Sequence, residues 1–272
     1  MTDATATTAG TYRAPTGGVR ARLRFLHLVN RNFLVWRKLM IPSLIGNLAE
    51  PLIYLVGLGY GIGALVGDIG GRPYITFLAA GMICYSTMNS ASFEALYSAF
   101  SRLKVQRTWE GILHAPMTST DVVLGEWVWA GCKSLVAGCA ILLVMYALGI
   151  VHGLRPLLVL PFALLIGLAF AGISLVMTSL ANSYDFFTYY FVLLITPMTF
   201  LSGIYFPLSQ LPPFAQTAAW LLPLAHGASL ARGITLGDPM PWPWLSVLVL
   251  IAYGAAGVSL AAWLTRRRLI CW

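Results

Sequence analysis

Four ionisable side chains, Glu50, Glu94, Glu126 and Lys133, stand inside runs of otherwise apolar residues. A charge in such a setting is costly and marks either a polar lining along a path or a pairing between helices. Glu126 and Lys133 are seven residues apart and share a helix face, but two turns rise ~10 Å, too far for a direct pair. Interhelical pairing near the end of its run is the simpler role for Glu126. Glu50 follows Asn47 and precedes Pro51, and both readings of it stand. The remaining reactive residue types are scattered. His27, His114, His152 and His226 build no HExxH, and no GxSxG or nucleophile–base cluster occurs. Cys84, Cys132, Cys139 and Cys271 lack metal-ligand spacing and read as small buried apolar residues. The nearest approach to a phosphate loop, GEWVWAGCKS at 125–134, lacks Gly–Lys adjacency and lies in a Trp-rich apolar run. Glu50, Glu94 and Asp185 do not form the acid cluster that a lipid-linked sugar transferase requires. The expectation is no catalytic residue, no metal and no cofactor bound by this chain.

The elements that must position these groups are membrane spans. The chain is 58% hydrophobic and only 10% charged, against about 25% charged in ordinary soluble domains, and its mean hydropathy is +0.79. Six apolar runs, at about 41–66, 74–100, 122–151, 156–181, 186–206 and 243–265, each reach the ~20 residues needed to cross a ~30 Å hydrocarbon core. The fold class expected is all-α, a polytopic membrane protein with six transmembrane helices. Basic residues orient it. Arg13, Arg20, Arg22, Arg24, Arg31, Arg37 and Lys38 precede the first run, Arg102, Lys104 and Arg107 follow the second, and Arg266, Arg267 and Arg268 follow the sixth. Thirteen of the 17 basic residues therefore share one side, which places both termini in the cytoplasm. The net charge of +8 is a topology signal and calls for no nucleic acid.

Three segments outside the spans carry further information. Residues 1–18 are rich in Thr, Ala and Gly and read as a disordered tail. Residues 19–40 read as an amphipathic interface helix, with Phe25, Val29, Phe33 and Trp36 on one face and Arg20, Arg24, Arg31 and Lys38 opposite. The transmembrane domain then fills 41–272. Between the second and third runs, Gly111 and Pro116 bracket a short turn of helix, and Thr118–Asp121 offers capping chemistry for the next span. An exposed helix presenting Trp109, Ile112 and Leu113 either fits a groove in another protein or folds onto the membrane surface. Between the fifth and sixth runs, Pro207, Pro212, Pro213 and Pro223 break an apolar stretch into short pieces. Such pieces dip into the bilayer or rest on it, and irregular backbone at that depth must face protein or water.

The order Leu-x-Gly-x-x-Phe-Pro, Leu-Pro, Pro-Leu-x-His, Arg-Gly from Leu201 to Gly233 resembles the last extracellular loop of type-two ABC exporter permeases. The runs Arg31–Gly63 and Thr108–Glu126 are similar to the branch that exports nodulation factors, which are lipo-chitooligosaccharides. The resemblance covers nearly all of the chain after about residue 20, and the Thr/Ala-rich tail departs from it. It implies a bacterial inner-membrane permease working as a homodimer with two copies of a separate ABC ATPase, where ATP and Mg would bind, among membrane lipids and with a glycolipid cargo. In this family the loop between spans two and three carries a coupling helix that docks on the ATPase. Glu110, Leu113 and Pro116 match its pattern, with Ile112 for the first Leu, and Trp109, Gly111 and His114 complete the segment. Glu50, Tyr54, Gly203, Phe206, Pro207, Pro223, His226 and Arg232 are the expected path and exit-gate residues. His226 also suits packing or capping, and Arg232 also suits a lipid-phosphate anchor. Exporters of polysaccharide or small hydrophobic drugs, and a proton-coupled secondary transporter, are the alternatives.

Overall fold

The computed structural model describes residues 23–270. The 1–18 tail, the opening of the 19–40 segment and Cys271 lie outside the described residues. The described chain is helical, in the order α1 (Phe25–Arg37), α2 (Met40–Val56), α3 (Tyr74–Phe93), α4 (Thr108–Leu113), α5 (Ser119–Ala147), α6 (Val159–Leu180), α7 (Asp185–Tyr189), α8 (Thr196–Leu201), α9 (Pro213–Ala219), α10 (Pro223–Thr235) and α11 (Pro243–Ile270). One departure from all-α is a small antiparallel ribbon, β1 (Asp68–Ile69) on β2 (Arg72–Pro73). Gly67, Gly70 and Gly71 all take positive φ there, which lets the chain reverse just after the first long helix.

Among the described residues four helical stretches are long and apolar enough to cross a bilayer by length and composition: Met40–Val66, Ser119–Ala147, Arg155–Leu180 and Pro243–Arg268. Asp185–Leu201 is apolar but shorter. α3 carries Ser86, Thr87, Asn89, Ser90 and Ser92 and is not among those four, although it is the best-enclosed helix of the bundle. Six apolar runs in the sequence therefore correspond to four helices that satisfy length and apolarity together.

Local chemistry sets the helix boundaries. The Thr118 hydroxyl accepts from the Asp121 N–H while Asp121 accepts from the Thr118 N–H, the expected reciprocal cap at the start of α5. Pro51 lies inside α2, and π-helical turns follow at Gly57–Ile62. A second π stretch, Tyr190–Ile195, precedes Pro197, where the Thr196 hydroxyl donates to the Phe191 carbonyl. Helix α3 continues through π turns at Glu94–Ser98 and Ser101–Val105 toward α4.

The core centres on α3, with Leu78, Met82, Ile83, Met88 and Leu96 fully enclosed beside Ile141, Met145, Ile166 and Phe170 from α5 and α6. Helices α6 and α11 meet through glycine. A Cβ on Gly257 would fall 2.6 Å from the Gly172 carbonyl carbon, so the two backbones touch with no side chain between them. In α1 the inward residues are Leu28 and Asn32, while Phe33 is largely exposed. Leu28 and Asn32 face inward because α1 packs on α5 at Gly125 through Leu28 and turns its polar Asn32 toward buried charge. Cys84 is buried, whereas Cys132 and Cys139 are exposed on α5, contrary to the expectation that all are interior.

Candidate functional site

The intramembrane charges that look scattered in sequence converge. Glu126 on α5 receives both Nε and Nη2 of Arg102, at 2.9 and 2.5 Å, together with Asn32 Nδ2 at 3.2 Å and Trp109 Nε1 at 3.2 Å. Glu94 receives Arg102 Nη2 at 2.9 Å, Trp129 Nε1 at 2.9 Å and Lys133 Nζ at 2.8 Å. Both carboxylates are buried, 3% exposed for Glu94 and 1% for Glu126. Lys133 therefore reaches Glu94 on the neighbouring helix, as the spacing argument against a Glu126–Lys133 pair requires. Burying two carboxylates is tolerable only when every lone pair finds a donor, and four helices contribute to that saturation. Sequence reasoning missed Arg102 as a site residue, because it belongs to a basic loop segment that reads as a topology signal. The detectable clue was its spacing of eight residues from Glu94, which keeps both on one helix face.

Trp109 corrects an expectation. It is 1% exposed and points into its own chain, so it is no free knob. Helix α4 begins at Thr108 and contains Gly111, instead of lying between Gly111 and Pro116. Arg107 enters it in the left-handed region, φ 48°. Glu110, Gly111, His114 and Pro116 are exposed, and Ile112 and Leu113 are half-buried. The Pro116 carbonyl accepts from Arg24 at 2.7 Å, fastening this loop to α1. Beside it, Lys104, Arg107, Glu110, Leu113, His114 and Arg268 line a groove of about 500 Å³. Partial burial, with Arg268 and Arg107 alongside, lowers the Lys104 ammonium from its ordinary value.

At the other end, a cavity of about 830 Å³ is walled by α2, α3, the π stretch before α8, and the turn after α8. Glu50, Tyr54, Tyr85, Tyr205 and Phe206 line it. The Glu50 carboxylate accepts from the Tyr85 hydroxyl at 2.5 Å and from Asn89 Nδ2 at 3.1 Å. Tyr54 stands edge-on to Tyr85 and Tyr205, at 5.9 and 6.4 Å between ring centroids. The size lies within the range of small-molecule sites. Aromatic faces beside one carboxylate can take an amphiphile whose polar part donates hydrogen bonds.

Of the expected gate residues, Gly203 takes φ 74°, and Pro207 follows Phe206 at the cavity rim. The Arg232 guanidinium is buried over the Phe77 ring at 3.9 Å and donates to the Gly203 and Ile204 carbonyls, which pins the turn. His226 is also internal, with Nδ1 3.0 Å from the Ser246 hydroxyl and Nε2 2.8 Å from the Trp220 carbonyl at the end of α9. Pro223 is buried at the first turn of α10, where a missing N–H costs nothing. Arg72 and Asp238 join the two loops at this end through a 2.8 Å ion pair.

A third cavity, about 400 Å³, lies beside the charge cluster and is lined by Arg31, Trp36, Glu94, Arg102, Trp129 and Lys133 among others. Partial burial lowers the Arg31 guanidinium from its ordinary value, and the charge of Arg102 adds to that. Tyr97 lines this cavity and the larger one alike.

Comparison with known proteins places this helical chain in a family. Residues 24–236 match the ABC-2 type transporter family. The chain is 46% identical to Nodulation protein J of Rhizobium leguminosarum bv. viciae over 261 residues, 96% of this chain and 99% of the relative. It is 48% identical to Nodulation protein J of Bradyrhizobium diazoefficiens over 240 residues, 88% and 92% of the two chains. It is 26% identical over 257 residues to the Inner membrane transport permease YadH of Escherichia coli K12, covering 90% of each. The chain belongs to the ABC-2 type transporter family, as a transport permease subunit.

Proposed function

We propose that the chain is the membrane half of an ATP-driven exporter that moves an amphiphilic glycolipid or lipooligosaccharide from the inner leaflet outward. In this reading it crosses the bacterial inner membrane six times with both termini inside, α3 and the Asp185–Leu201 stretch being spans two and five. The segment from Gly203 to Thr235 dips back into the outer half of the membrane, α1 lies on the inner surface, and residues 41–272 form the transmembrane domain. Two copies of the chain pair with two copies of an ABC ATPase, which holds ATP and Mg. Glu110, Gly111, Ile112, Leu113, His114 and Pro116 meet the ATPase, and Trp109 carries the push inward.

The observation that supports this most is the Trp109–Glu126 hydrogen bond, which ties the loop helix to buried charge on α5 and, through Arg102, to α3. A push on α4 then acts on two spans at once, which suits alternating access. The cavity around Glu50 and Tyr54 supports an amphiphilic cargo, and the relatives named for nodulation support a lipooligosaccharide. A proton-coupled reading draws less support, since Glu94 and Glu126 are already held by Arg102 and Lys133.

The test is purification of the tagged chain with a co-expressed ABC ATPase, scored for ATP hydrolysis in lipid nanodiscs with and without lipooligosaccharide. The expected result is a stable complex whose hydrolysis responds to cargo and loses that response in the Glu110→Ala, Leu113→Ala double variant. Transport that persists without ATP and collapses with an uncoupler would overturn the reading.

A further inference from the structure

The cavity beside the charge cluster carries more positive than negative charge. Arg31, Arg102 and Lys133 line it against Glu94 alone, and Glu126 behind Arg102 supplies the second carboxylate. Arg102 is shared by both acids and Lys133 is taken by Glu94. Among the described residues Arg31 has no ion pair. Its guanidinium reaches only the Asn32 side-chain carbonyl, at 3.2 Å, and that contact leaves most of its five donors unused. Three cations against two carboxylates, with one half-buried guanidinium lining the cavity outside any ion pair, give this cavity a positive field that favours an anionic ligand.

The surroundings specify what carries the anion. Trp36 and Trp129 wall the cavity, edge to face at 6.0 Å. Tyr97 and Tyr184, also in its lining, stack nearly parallel at 6.1 Å and 9°. Tyr97 also borders the larger aromatic cavity. Tyr97 is thus the side chain that the two cavities share.

We propose that this cavity is a head-group subsite for an anionic amphiphile, its phosphate, sulfate or carboxylate held by Arg31 and Lys133 and its apolar body passing Tyr97 into the aromatic cavity. The inference deepens the transport reading, and rests on it, in taking the ligand to arrive from the bilayer. Arg31 supplies the paired donors that carboxylate and phosphate oxygens accept bidentately, and Lys133, which also holds Glu94, adds a point charge to the same cavity.

The purified chain in neutral detergent, titrated with dodecyl phosphate, dodecyl maltoside and inorganic phosphate and read by native mass spectrometry, tests this directly. Dodecyl phosphate should bind at least tenfold more tightly than either of the other two. Arg31→Gln should remove that preference while leaving dodecyl maltoside binding unchanged, and Arg31→Lys should restore part of it. Because α1 presents Arg31 at the cavity mouth, these variants keep the Glu94–Arg102–Glu126 cluster intact and remain folded. Equal binding of the anionic and neutral amphiphiles, or no effect of Arg31→Gln, overturns the proposal. Inorganic phosphate binding as tightly as dodecyl phosphate overturns the amphiphile in favour of a free anion. No ATPase enters the assay, so a negative result there with intact cargo-stimulated hydrolysis leaves the transport reading standing, and the converse result separates them equally.

Discussion

The indole N–H of Trp109 donates to the buried carboxylate of Glu126 across 3.2 Å, linking a six-residue helix outside the spans to a charge inside them. Asn32 of α1 donates to the same carboxylate, and Arg24 of α1 holds the far side of the loop at Pro116. The loop helix is therefore held at both ends by its own chain, while Glu110, Gly111, His114 and Pro116 stay exposed.

Trp109→Phe keeps most of the buried volume and deletes the donor. It should cost about 1 kcal/mol of stability and break the coupling between cargo and ATP hydrolysis without dissociating the ATPase. Trp109→Ala should cost about 3–5 kcal/mol, since it also opens a cavity. Thermal unfolding in detergent orders the two variants, and hydrolysis in nanodiscs separates loss of coupling from loss of fold.

Within the charge cluster, Arg102→Met should be the most damaging single change, at about 3–5 kcal/mol, because it takes the paired cation from buried Glu126 and one of two from Glu94. Lys133→Met should cost less, since Glu94 retains Arg102 and Trp129. Combining Arg102→Met with Glu126→Gln should be milder than the sum of the two. A double-mutant cycle on unfolding midpoints checks this, and additive losses would contradict the shared network.

Gly203→Ala places a side chain at φ 74° with its Cβ 2.9 Å from Leu208 Cγ. A loss of about 1–2 kcal/mol is expected from the left-handed backbone alone. Arg232→Met should loosen the same turn by releasing the Gly203 and Ile204 carbonyls. A cysteine introduced at Leu208 should then react faster with a soluble maleimide in the Arg232→Met background than in the parent.

In the large cavity, Tyr85→Phe removes a donor to Glu50 and Glu50→Gln removes the charge. If Glu50 takes hydrogen bonds from the cargo, Glu50→Gln should weaken cargo-stimulated hydrolysis by about tenfold or more, in keeping with the strength of bonds to charged groups. Tyr85→Phe should have a smaller effect. Identical behaviour of both variants and the parent would remove Glu50 from the path.

Much of this was legible in the sequence, and what was not has a common cause. Long apolar runs and the Thr118–Asp121 cap announce helices by local pattern, and the helices begin and end close to where that pattern puts them. Side-chain partners are a different matter. Glu94, Arg102, Glu126 and Lys133 meet only because α3 and α5 cross, and Asn32 joins only because α1 buries Leu28 on Gly125. Spacing along one helix says nothing about which face the neighbour presents. The same limit explains Arg232 and His226. Each is a polar residue in an apolar stretch, and what decided their partners was the carbonyls left free by the breaks at Gly203 and Trp220, which the sequence marks only as breaks.

The bare contact between Gly172 and Gly257 has a consequence for anyone who would watch this protein at work. Two backbones with no side chain between them have little room to slide, so α6 and α11 serve as a fixed datum. A pair of spectroscopic labels across that seam should give one narrow distance whatever the rest of the bundle does. A label on α2 measured against the same seam has the freedom to report a change. The glycines supply the ruler's zero.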